Sequence, residues 1–206
     1  MLHLLKVAKS AGVPQTLVHF FADGRDTSPK SAKTYLKTLL DFMDEINYGQ
    51  VATIIGRYYV MDRDKRWERV QLAYDALVDG TGEKSTNLLD TVESRYSQNE
   101  TDEFFKPIIN SNVDGRIKDS DVLLCFNYRS DRMREISQAL GIAPLPFEGT
   151  VRSNLDITTM TRYKDGFPFN NLFPPQTMDN CLAEVLANHK IPQCHIAETE
   201  KYGIFE

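Results

Sequence analysis

Cysteine is scarce in this chain: Cys125, Cys181 and Cys194 are the only three among 206 residues, and no C-x-x-C pair occurs. That excludes a disulfide-stapled scaffold and the usual cysteine zinc sites. Cys125 and Cys181 lie in apolar stretches and are expected to be buried, reduced thiols of a cytoplasmic protein. No apolar run is long enough to cross a bilayer, and residues 1–10 lack a signal-peptide pattern. Asn99-Glu100-Thr101 fits the glycosylation triplet, but nothing else reads as secreted. A basic excess is missing too, with 24 Lys and Arg against 29 Asp and Glu and a net charge of −5. Such a chain has no global field to attract nucleic acid or an anionic membrane, so neither is expected as a partner. The four histidines, His3, His19, His189 and His195, are scattered. H-E-x-x-H, the P-loop pattern and G-x-G-x-x-G are all absent. His19 and His195 fall in apolar strands and read as core residues, and no internal repeat or low-complexity tract is present.

Helical spacing of apolar residues covers 2–11 and ends at Gly12. Leu17-Val18-His19-Phe20-Phe21 is a short strand that stops at Asp23-Gly24. Ser28 then reads as the cap of a second helix, with Pro29 at its first position. Leu36, Leu39, Leu40, Met43 and Ile46 line one face of that helix, and residues 47–49 end it. A strand over 51–59, a helix over 67–78 closed by Gly80 and a short helix over 88–96 follow. Residues 122–126 form a continuous apolar run, as in a strand buried on both faces. Helices are expected over 130–140 and 178–189 and a short strand over 194–197, while 143–177 shows no clear period. Repeated strand-then-helix order predicts an α/β fold, a three-layer α/β/α sandwich with a mostly parallel central sheet. Pro174-Pro175 reads as a stiff hinge, with too little chain after it to bury a core of its own. Both ends look cut, as in a fragment.

The chemistry gathers after three predicted strands. Asp23, Arg25 and Asp26 follow the first; Arg57, Asp62, Arg63, Asp64, Lys65 and Arg66 the second; Arg129, Asp131 and Arg132 the third. Loops at the C-terminal ends of parallel strands share one crevice, so these side chains can converge. A guanidinium fork matches carboxylate or phosphate oxygens two at a time. Several forks in one cleft point to a small ligand carrying both anions, with the interleaved aspartates offsetting repulsion in the empty site. The plainer reading is a set of solvated loops laced with surface ion pairs. A third treats Arg57 to Arg69 as a phosphate-tracking strip for nucleic acid, against which the acidic balance argues. Trp67 and Tyr58-Tyr59 read as packing residues.

Beyond these patterns, His19-Phe20-Phe21-Ala22-Asp23-Gly24-Arg25-Asp26-Thr27-Ser28-Pro29-Lys30-Ser31 resembles the H-x-F-x-D-G-R-D-T-x-P-x-S signature of the cofactor-independent phosphoglycerate mutases. The stretch from Ile55-Gly56-Arg57-Tyr58-Tyr59 to Arg69 is similar to a second block of that family, and Phe126-Asn127-Tyr128-Arg129-Ser130-Asp131-Arg132 to its F-N-[FY]-R-x-D-R. Phe173-Pro174-Pro175-Gln176 and Ile196-Ala197-Glu198-Thr199-Glu200-Lys201-Tyr202 resemble two more blocks, in the family's order.

The resemblance implies an isomerase of glycolysis, related to alkaline phosphatase, that interconverts 3-phosphoglycerate and 2-phosphoglycerate through a phosphoserine. It implies two Mn2+ ions, no need for 2,3-bisphosphoglycerate, and an intact enzyme that works as a monomer. Residues 1–175 would be most of the inserted substrate-binding domain, and 176–206 the chain re-entering the phosphatase domain. Substrate contacts carry over to Arg25, Asp26, Arg57, Arg63, Arg129, Arg132 and Lys201, with Asp26 expected to orient or deprotonate the acceptor hydroxyl. The family's substrate-binding histidine, nucleophilic serine and metal ligands have no counterpart in this chain, so it is expected to be inactive alone. A stand-alone binding domain for small phosphorylated acids is the alternative.

Overall fold

Leu2, Leu5 and their helically spaced neighbours give α1 (Leu2–Ser10) one apolar side, and Gly12 beyond it takes the left-handed backbone that ends helices. The computed structural model describes residues 1–152, 154–175, 179–194 and 196. After α1 come β1 (Leu17–Ala22), α2 (Ala32–Glu45), β2 (Gln50–Gly56), the single turn α3 (Arg57–Val60) and α4 (Trp67–Val78). β3 (Glu83–Ser85), α5 (Leu88–Ser97), a 3-10 turn at Asp102–Phe104 and β4 (Ile108–Asn110) complete the first half. The second half holds β5 (Val122–Cys125), α6 (Arg134–Gly141), β6 (Asp156–Thr161), β7 (Asn170–Phe173) and α7 (Leu182–Asn188).

The strands form two sheets. The first runs β1-β2-β4-β3, with β1 parallel to β2, β4 antiparallel to β2, and β3 parallel to β4. The second is β5-β6-β7, parallel throughout. Strand alternation sends neighbouring residues of β2 to opposite faces of the first sheet. Ile54 packs with Leu36, Leu39 and Met43 of α2, Leu5 of α1 and Val92 of α5. Ile55 packs with Val70, Tyr74 and Leu77 of α4, Ile136 and Leu140 of α6, and Ile157 of β6. Helices thus cover the first sheet on both faces, and the second core is shared with the second sheet. The expected mixed α/β class with parallel strands and flanking helices is what forms, although the parallel strands divide between two sheets.

Several local expectations differ. The second helix starts at Ala32 rather than at Pro29, and Ser31, not Ser28, stands at its cap without capping through its own side chain. The buried Asp102 carboxylate does that work, accepting the N–H groups of Ser31 and Ala32 at 2.8 Å each. The second strand ends at Gly56, and the next residues turn into α3. β5 is not buried on both faces: Leu123 and Cys125 face the core while Val122 and Leu124 are exposed. The helix expected over 130–140 starts only at Arg134, after a turn. The aperiodic 143–177 stretch contains β6 and β7. Cys181 and Cys194 are exposed, with α7 between them burying none of its residues, and Cys125 is half-buried. His19 is half-buried rather than a core residue: desolvation lowers its pKa to about 4, and its Nδ1 lies 2.9 Å from Thr53 Oγ1 on the adjacent strand. Residues 195 and 197–206 lie outside the described residues, and with them His195, most of the expected strand over 194–197, and Lys201.

Candidate functional site

β1 ends at Ala22, and the chain turns at once. The Asp23 carboxylate accepts the backbone N–H groups of Arg25 and Asp26, at 3.3 and 3.2 Å, closing an Asx-type turn. Gly24 inside it has φ of +68°, and a Cβ there would lie 2.8 Å from both Asp102 Cβ and Glu103 N. Beside it, Gly56 ends β2 and donates its N–H to Phe105 O at 2.8 Å; a Cβ on Gly56 would collide with the backbone of Glu103. The 3-10 turn at Asp102–Phe104 is therefore seated against the glycine before Arg25 and the glycine before Arg57.

Arg57 opens α3 almost fully buried. One of its terminal nitrogens donates to Asp26 Oδ2 at 2.8 Å and to Asp23 Oδ1, while its Nε has no partner. Burial opposes its charge, but the two carboxylates outweigh that and raise its pKa. Asp26 is held below the usual carboxylate range, first by the hydrogen bond from Arg57 and then by that guanidinium's charge, with Arg129 and Arg132 adding to the pull. Tyr58, next to Arg57, is clamped between the Arg69 guanidinium, 3.8 Å from its ring centroid, and the Phe104 ring.

The loop between α3 and α4 meets the segment after β5. Arg63 and Arg129 both donate to Asp131 Oδ2, each at 3.2 Å. Arg132 donates to Met61 O at 2.9 Å. Its pKa is lowered by burial and then by repulsion from Arg57, Arg63 and Arg25. Arg25 is well exposed, its guanidinium 3.9 Å from the Glu103 carboxylate. Beneath this surface lies a pair of carboxyls. Asp62, buried, accepts the N–H groups of Arg66 and Asp64, at 2.9 and 3.0 Å, and these outweigh the burial that opposes its charge. Glu135 accepts the N–H of Lys65 at 2.8 Å, and burial, with the Asp62 charge beside it, pushes its carboxyl up to about 7.

The three loops thus bring Arg25, Asp26, Arg57, Arg63, Arg129 and Arg132 into one electrostatic neighbourhood even though β5 belongs to the second sheet. Asp23 and Asp131, which the sequence shows only as aspartates interleaved with arginines, are the carboxylates that tie the loops together. Asp102, Glu103 and Glu135 carry no sequence signal for their roles, because the Ser31 and Ala32 N–H groups, the Arg25 guanidinium and the Lys65 N–H that they respectively meet lie far off along the chain. An open cavity of about 530 Å³ shares Arg63 and Asp131 with the cleft. Another, of about 490 Å³ and lined by Thr53, Lys84, Asn110 and Arg116, includes none of the arginines of the cleft. Among the described residues no group of three or more His, Cys, Asp or Glu side chains is arranged to hold a metal ion.

A family profile described as "BPG-independent PGAM N-terminus (iPGM_N)" matches residues 1–165. The chain is 49% identical over 205 residues to the 2,3-bisphosphoglycerate-independent phosphoglycerate mutase of Onchocerca volvulus, covering 97% of this chain and 40% of that protein. It is 44% identical over 208 residues to the protein of that name from Bacteroides thetaiotaomicron, covering 98% and 41%. In three dimensions it resembles the phosphoglycerate mutase of Leishmania mexicana, solved in crystals at low cobalt concentration, with a TM-score of 0.80 and 25% identity over 92% of this chain and 37% of that one. The chain spans about two fifths of the length of the curated relatives it matches.

Proposed function

The chain belongs to the 2,3-bisphosphoglycerate-independent phosphoglycerate mutase family, and on that premise we propose that it is the substrate-holding part of an enzyme interconverting 3-phosphoglycerate and 2-phosphoglycerate. The observation that carries the proposal is the gathering of arginines from three loops around Asp26: Arg57 hydrogen-bonds it, and Arg129 and Arg132 lower its pKa further. Such a cleft suits a three-carbon acid bearing a carboxylate at one end and a phosphate at the other. Arg25, Arg57, Arg63, Arg129 and Arg132 hold the glycerate in this reading, and Lys201 completes the set.

Asp26 faces the cleft as an exposed carboxylate. Its lowered pKa favours orienting the acceptor hydroxyl, by accepting its hydrogen bond, over removing the proton, since an efficient base has a pKa near the working pH. Catalysis by this chain is then positioning, worth about 7–11 kcal/mol in well-oriented model reactions. The nucleophilic serine and two manganese ions belong, in this proposal, to the part of the protein outside this chain. When bound, the ions would activate the serine and neutralise charge on the transferring phosphoryl group. α7 buries none of its residues, which supports assigning 176–206 to a second domain whose core lies elsewhere. A place in glycolysis in the cytoplasm is part of the same proposal; no helix among the described residues is long and apolar enough to cross a membrane.

The test is an enolase-coupled assay on the complete protein carrying this chain, supplied with manganese and without 2,3-bisphosphoglycerate. Turnover of 3-phosphoglycerate is expected; binding without turnover would favour a stand-alone domain for small phosphorylated acids. In the same assay Asp26→Asn is expected to cut kcat by about 10²-fold or more and change KM far less. Equal effects on both would reduce Asp26 to a binding residue.

A further inference from the structure

The arginines of the cleft are not held alike. Arg57 is buried and grips Asp26 at 2.8 Å, the ordinary length of a charge-assisted hydrogen bond. On the surface, Arg116 binds Asp114 through two nitrogens and two oxygens, at 2.8 and 2.9 Å. Arg63 and Arg129 have neither arrangement. Both reach the same oxygen, Asp131 Oδ2, at 3.2 Å each, and each uses a single nitrogen. Two positive groups from opposite halves of the cleft share one negative oxygen, at a length beyond the usual charge-assisted range. Asp131 also lines the open cavity of about 530 Å³, which leaves room for its carboxylate to turn aside. Among the described residues, neither arginine has another carboxylate partner in an ion pair.

We propose that Asp131 is an exchangeable counter-ion. It keeps Arg63 and Arg129 in the cleft while no anion is bound, surrenders them to the substrate's carboxylate or phosphate, and takes them back as product leaves. It is a positioning residue that acts through the two guanidiniums and does not itself touch the reacting atoms. A substrate anion competes with it for the same donors, so Asp131 weakens binding and speeds release. Arg57, locked by two carboxylates, has no such exchange open to it. The proposal rests on reading the site as a glycerate cleft.

Calorimetric titration of 3-phosphoglycerate into the complete protein carrying this chain, with mutase assays on the same preparations, tests it. In Asp131→Asn the Kd and KM are expected to fall about three- to tenfold, the size of one partly exposed charge interaction. kcat is expected to fall with them, as product leaves uncompensated guanidiniums more slowly. Asp131→Glu, which keeps the charge, is expected to restore the parent values. Should asparagine disturb the fold, Asp131→Ser gives the same reading. Binding unchanged or weakened in the neutral variants overturns the proposal, because removing a merely structural carboxylate loosens the site. A parent protein that neither binds nor turns over 3-phosphoglycerate overturns the glycerate cleft and the role of Asp131 together. A parent that does both, with neutral variants no tighter, overturns the role of Asp131 alone.

Discussion

Glu135 is a carboxyl buried beside another carboxyl, and the pair sits directly under the loop that carries Arg63. Its pKa rises from an ordinary 4.5 to about 7, so the folded protein holds a proton there that the unfolded chain releases. Between those values the native state binds more protons than the unfolded one, and stability falls as pH rises through about 7. Asp62 is shifted the other way, and its contribution is lost only at acid pH, below its unfolded value. Glu135→Gln keeps an acceptor for the Lys65 N–H and removes the ionisation. Thermal unfolding is expected to show this variant more stable than the parent at pH 8, by on the order of 2 kcal/mol, with the gap closing towards pH 5. The arginines above this pair were legible in the sequence, because guanidinium-rich loops after strands announce themselves by residue type and place. Glu135 was not, because a carboxyl in an amphipathic helix looks solvated until tertiary packing buries it.

At the level of elements, the least visible feature is the turn at Asp102–Phe104. Its aspartate caps α2, accepts the Tyr96 hydroxyl and, with Glu103, fills the notches left by Gly24 and Gly56. Asp102→Ala strands two helix-end N–H groups and a partly buried phenol. A loss of about 2–3 kcal/mol is expected, read as a lower urea midpoint at unchanged slope. The helices α1, α2 and α4 and the strands β1 and β2 were legible because hydrophobic period and glycine stops coincide in them, and α5 by its period alone. β6 and β7 were not. Thr158 and Thr159 of β6 and Asn170 and Asn171 of β7 give no apolar alternation to read, and sheet pairing holds them in place. β5 misled in the opposite sense, since four apolar residues in a row occupy an edge strand with one open face.

For the molecule as a whole, the expectation of one sheet with three loops over one crevice was half right. The loops do meet, but over the shared core between two sheets rather than along a single strand edge. The α4–α6 packing that contains Tyr74, Leu77, Ile136 and Leu140 sets their spacing. In the function proposed above, this cleft binds and orients the substrate while the nucleophile belongs to the part of the protein outside this chain. The chain by itself is therefore expected to show no mutase activity with or without manganese in the coupled assay, and measurable turnover by it would refute the assignment of domains. In the proposed glycerate cleft, the graded burial of the arginines also divides the encounter with an anion in time. Arg129 and Arg25, with 77% and 60% of their side chains exposed, stand in the path of an approaching ligand, and Arg57, at 6%, lies at the end of it. Arrival is then governed by long-range attraction to the outer pair and slows as salt screens it, while residence is governed by the inner guanidinium, where salt hardly reaches.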